Sequence, residues 1–100
     1  MKIRLQDNQV TIRLNEEDQN QLKEKGILRT FVEFPHRSLY AYLETIDVPE
    51  ITGDFTEEGL QFFLPADQLH SWLSGSKVGF SSQVGKVYLV IEKDLPKKKS

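Results

Sequence analysis

Cysteine is absent from this chain. With it go a disulfide framework, a thiolate nucleophile and thiolate ligands for zinc. Long apolar runs are absent too. None approaches the ~20 residues needed to cross a bilayer, and the opening MKIRLQDNQ lacks the apolar segment of a secretion signal. A cytoplasmic protein without membrane contact is expected. Neither sign of charge dominates: 13 Lys and Arg against 15 Asp and Glu leave a net charge of −2. Such a balance gives no strong electrostatic grip on nucleic acid or anionic lipid.

Catalytic signatures are equally scarce. The two histidines, His36 and His70, have neither H-x-x-x-H nor Asp-His spacing around them, so no metal site is assigned. The serines sit at helix ends and turns, without a G-x-S-x-G elbow. The glycines are scattered, and none forms a phosphate-cradling loop. The chain opens on K-I-R-L-Q, not on the E-x-E-x-K of a triphosphate-tunnel barrel. No catalytic residue, no cofactor and no enzymatic activity are expected.

What is present is a pattern stated twice. Ile3 and Leu5 alternate with Lys2 and Arg4, and Val10, Ile12 and Leu14 alternate with Thr11 and Arg13. This is the period-two signature of half-buried strands. Between them, Asp7 and Asn8 supply hairpin-turn chemistry. Asn15 then stands where a helix N-cap belongs. Glu16 to Asp18 follow in the first turn, Lys23 and Lys25 fall in the last, and Gly26 is the stop. Leu22 is the only apolar residue of that helix, which is expected to lie on a rim. Strands at Ile27–Phe34 and Ser38–Ile46 complete the first unit.

The second half repeats the order. ITGDFTE and GLQFFLP form a hairpin, Pro65 opens a helix, and KVGFSS and KVYLVIEKD supply two strands. Ala66, Leu69, Trp72 and Leu73 share one face of that helix. Leu14 aligns with Leu64, Ile12 with Phe62 and Leu22 with Trp72. A unit of this size cannot enclose a core alone, whereas two can close on each other about a pseudo-twofold axis. The expected fold is therefore mainly β: two ββαββ repeats in one compact, mostly antiparallel barrel or sandwich with two short helices. The domain spans residues 1–94, with repeats at 1–48 and 49–94, and the basic residues 95–100 are expected to be a disordered tail.

The stretch DNQVTIRLN, with Asn8 and Arg13 in register and Leu14 in an isoleucine's place, resembles the swapped-hairpin domains of AbrB- and MazE-type regulators and antitoxins. There Asp7 replaces a glycine and Asn15 a proline. In the second copy, EEGLQFFLP keeps the proline as Pro65 but has Phe63 at the arginine. In that family two ββαββ chains interlock, and the hairpin's arginine faces DNA. The resemblance therefore implies that Lys2, Arg4 and Arg13 form a nucleic-acid-binding patch. Against this, Glu16 to Asp18 lie just beyond it and repel phosphate, and basic residues also serve to blunt sheet edges. The whole chain is also similar to small bacterial proteins of unknown function that begin MKIR and end their last strand with EKD.

Phe31, Tyr40, Tyr42, Phe63 and Tyr88 fall on or near the strand phase that points away from a core. Exposed together they mark a partner surface; covered by helices in a closed barrel they are core, which is the expectation for most of them. The expectation is a non-catalytic binding or regulatory module with a protein partner, monomeric or weakly dimeric. DNA binding of the AbrB type is the alternative.

Overall fold

A computed structural model describes residues 1–94 of the chain; the tail expected at residues 95–100 lies outside the described residues. The order of elements is β1 (Lys2–Gln6), β2 (Gln9–Leu14), α1 (Glu16–Lys25), β3 (Ile27–Glu33), β4 (Ser38–Ile46), β5 (Thr52–Thr56), β6 (Gly59–Pro65), α2 (Ala66–Ser74), β7 (Gly79–Val84) and β8 (Val87–Lys93). Local chemistry accounts for most of the boundaries. Asp7 and Asn8 have φ of 45° and 63°, the paired positive values that a two-residue hairpin turn matching strand twist requires. Asn15 caps α1 in a reciprocal box with Asp18: the Asp18 amide donates to Asn15 Oδ1 at 2.8 Å, and the Asn15 amide to Asp18 Oδ2 at 3.1 Å. Gly26 ends the helix at φ 75°, its N–H donating to the Leu22 carbonyl. Pro65, the last residue of β6, precedes α2 and supplies no side-chain cap.

The strands form two four-stranded sheets, ordered β1-β2-β8-β7 and β3-β4-β6-β5. Four pairings are antiparallel hairpins. The central pairings β2–β8 and β4–β6 are parallel. Each sheet therefore takes one hairpin from each half of the chain. No strand ladder joins the sheets among the described residues, so of the two expected closures the chain adopts the sandwich.

The duplication is visible in the registers. In the first sheet Arg13 lies between Lys2 and Glu92; in the second, Phe63 lies between Thr52 and Glu44. Ile12 between Ile3 and Ile91 is repeated as Phe62 between Gly53 and Leu43. The hairpins β3–β4 and β7–β8 repeat as well, with Phe31 opposite Tyr40 where Gln83 is opposite Tyr88. The two sheets thus repeat one pairing scheme with the halves of the chain exchanged, the pattern expected of a pseudo-twofold repeat.

Because β2 runs parallel to β8 and β4 to β6, both hairpin turns of each sheet lie at the same end. The helices follow β2 and β6 at the opposite end, where they touch each other. The core sits toward the helices: Ile12, Leu14, Leu43, Leu64 and Ile91 from the sheets meet Leu22 of α1 and Leu69 and Trp72 of α2. Leu22 is the one wholly buried residue of the polar helix α1; Asp18, which accepts from the Met1 amine, and Gln19, which donates to the Leu14 carbonyl, are half-buried beside it. On α2, Leu69 and Trp72 are buried and Leu73 packs half-buried against the core, as expected, whereas Ala66 is exposed. Thr11, expected to point outward, is buried; on central strand β2 it lies between Arg4 and Val90 of the flanking strands.

Candidate binding surfaces

The outer face of the first sheet carries the residues singled out for nucleic acid. Lys2 stands opposite Arg13, and Arg4 opposite Thr11, so the structure brings the three cations together on one hairpin. Two of them are occupied locally. Arg13 Nε donates to Glu92 Oε1 at 3.0 Å, and Lys2 Nζ to Asp94 Oδ2 at 3.2 Å. Arg4 reaches Gln6 at 3.4 Å. These exposed pairs add little stability, but each places a carboxylate where a phosphate would have to approach. The internal repeat gives no second basic patch: the positions equivalent to Lys2, Arg4 and Arg13 are Thr52, Asp54 and Phe63.

The outer face of the second sheet is different in chemistry. Phe31, Tyr40 and Tyr42 form a connected group, with ring centroids 6.0 Å apart for Phe31–Tyr40 and 6.2 Å for Tyr40–Tyr42. The Arg29 guanidinium lies 5.9 Å from the centroids of both Phe31 and Tyr40, within cation–π range. Arg29 forms no ion pair among the described residues. Phe63 continues the surface from β6, beside Glu44. Neither described helix covers this face: Phe31 is 48% exposed, and Tyr40, Tyr42 and Phe63 are half-buried against their neighbours. Tyr88, the fifth outward aromatic, is on the first sheet, where its hydroxyl meets Ser81 Oγ at 2.9 Å.

The pseudo-twofold makes the comparison between the two faces informative. The scaffold is the same, yet Arg29, Phe31, Tyr42 and Phe63 are replaced on the first sheet by Ser81, Gln83, Val90 and Arg13. Only Tyr40 keeps its type, as Tyr88. The same strand pairing thus forms with Ser81, Gln83, Val90 and Arg13 in one sheet and with the cation–aromatic group in the other.

A further apolar surface escapes the sequence pattern. At the end carrying the hairpin turns, Leu5 and Phe55 are 63% and 71% exposed, although both lie on the inward strand phase. Alternation identifies which side chains face the opposite sheet; it does not reveal that the sheets leave this end uncovered. His36 and His70 are both exposed, and no group of three His, Asp or Glu side chains able to hold a metal ion occurs among the described residues. None of the described helices is long and apolar enough to cross a membrane.

These features define a small duplicated β-sandwich with interlocked halves and two unlike outer faces. The chain belongs to the Family of unknown function DUF7009, whose family model matches residues 1–97. No curated protein and no solved structure matches it.

Proposed function

We propose that the chain is a non-catalytic cytoplasmic binding module, and that its partner is a protein held on the outer face of the second sheet. The observation that carries this reading is the outward-facing group of exposed Arg29 and Phe31 with half-buried Tyr40 and Tyr42, a grouping the equivalent face of the same molecule lacks. Tyrosine and arginine are among the residue types that dominate binding energy at protein interfaces. Rigid rings lose little conformational entropy on contact, and a guanidinium stacked on rings stays partly oriented beforehand. The partner chemistry that fits is an apolar surface carrying a carboxylate, which Arg29 meets from its place over Phe31 and Tyr40. The DNA-binding alternative rests on Lys2, Arg4 and Arg13, two of which face carboxylates of their own chain.

The test replaces the face with its own counterpart: Arg29→Ser, Phe31→Gln, Tyr42→Val and Phe63→Arg in one variant. Affinity capture from cells that express the protein should enrich a partner with the wild-type chain at physiological salt and lose it with the variant. Equal capture by both chains rules the face out as the binding surface.

A further inference from the structure

We propose that the hairpin-turn end of the sandwich is a self-association surface whose occupant is a second copy of this chain. The helices close one end of the space between the sheets; no described element closes the other. There the inward-facing positions remain apolar in both halves, as the equivalent pairs Leu5 and Phe55, Val32 and Val84, and Leu39 and Val87. Four of the outer-face positions, those of Arg29, Phe31, Tyr42 and Phe63, have diverged in character, whereas these have not.

A hollow of about 310 Å³ lies at this end, and two more of about 280 and 260 Å³ run back from it between the edge strands of the two sheets. They adjoin through shared walls: Phe55 borders the first and second, Leu60 the second and third, and Leu39 the first and third. Phe34 and Phe55, exposed by 60% and 71%, together present roughly 250 Å² at the usual area of such a side chain. Leu5, Val32 and Leu39 raise the apolar area to on the order of 450 Å², close to the apolar share of a standard interface of about 800 Å² per partner.

Charge selects the occupant. Arg37, Glu57 and Glu58 border the same hollow as Phe34 and Phe55. None of the three forms an ion pair among the described residues. A surface carrying both signs around an apolar centre can pair opposite charges with its own rotated copy, which a surface of one sign cannot. In a twofold pairing, Arg37 of each copy faces Glu57 and Glu58 of the other, as an isologous interface requires. A partner of one charge sign leaves one of these groups unmatched.

Sedimentation equilibrium of the full chain at physiological salt is the experiment, loaded from about 1 to 500 μM to bracket the affinity of an interface of this size. The wild type should pass reversibly from monomer to dimer. Phe55→Asp should weaken dimerisation by at least about tenfold while leaving the circular dichroism spectrum unchanged, because Phe55 is already exposed. Arg37→Glu and the double variant Glu57→Lys/Glu58→Lys should each be monomeric, and a mixture of the two should recover a heterodimer. A wild type that stays monomeric throughout overturns the proposal. So does a dimer indifferent to Phe55→Asp, or a mixture of charge variants that fails to pair.

Discussion

Trp72 shows how much a single residue holds in this fold. Its indole is 4% exposed and meets Phe80 edge-on, with centroids 5.0 Å apart. Lys93 Nζ lies 5.7 Å from the ring centroid and donates to the carbonyls of Leu73 and Gly75 at 3.3 and 2.9 Å. A cation at a helix C-terminus answers the orphan carbonyls there, so one side chain of β8 fastens α2 from above the tryptophan. Trp72→Ala should cost roughly 3–5 kcal/mol, as large aromatic truncations in cores do, measured by urea unfolding. An unchanged midpoint would place α2 outside the cooperative unit. The indole N–H has no partner among the described residues. The sequence made Trp72 and the Asn15 cap legible because both depend on neighbours along the chain. The exposure of Leu5 and Phe55 was not legible, because it depends on how far the facing sheet extends.

Among the elements, the hairpins were readable and their partners were not. Asp7-Asn8, Gly59 and Gly85 mark turns by positive φ. At Gly59 any side chain would also collide with the Tyr40 carbonyl of the neighbouring strand. The pairings β2–β8 and β4–β6 join residues far apart in sequence. Alternation fixes which face of a strand is buried, but not which strand lies beside it. Those two pairings are what make the halves interdependent. Each half alone would hold two separate hairpins and one helix, with the inner edges of β2 and β4 unpaired, and an isolated hairpin is marginal in water. Residues 1–48 expressed alone should therefore give no cooperative unfolding transition as a monomer, by circular dichroism at low concentration. A monomeric half that melts cooperatively would contradict the interlocked topology.

Taken as a whole, the molecule is a scaffold with an internal control. Two sheets related by pseudo-twofold symmetry have matching registers, but one outer face is polar with local ion pairs and the other is aromatic around Arg29. The outward phase of Phe31, Tyr40 and Tyr42 was legible from alternation. That neither described helix covers them was not, because both helices gather at one end of the sandwich. The central claim is that these aromatics are surplus to folding and present for a partner. Its most direct test is the equilibrium stability of the transplanted variant, with Arg29→Ser, Phe31→Gln, Tyr42→Val and Phe63→Arg, measured by urea unfolding against the wild type. Exposed cross-strand aromatic pairs contribute about 0.2–1 kcal/mol each. The guanidinium introduced by Phe63→Arg would stand beside Glu44 as Arg13 stands beside Glu92. The expected result is a cooperative transition with a loss below about 2 kcal/mol. A loss above about 4 kcal/mol, the range of core disruption, would show that the aromatic face serves the fold and contradict the account.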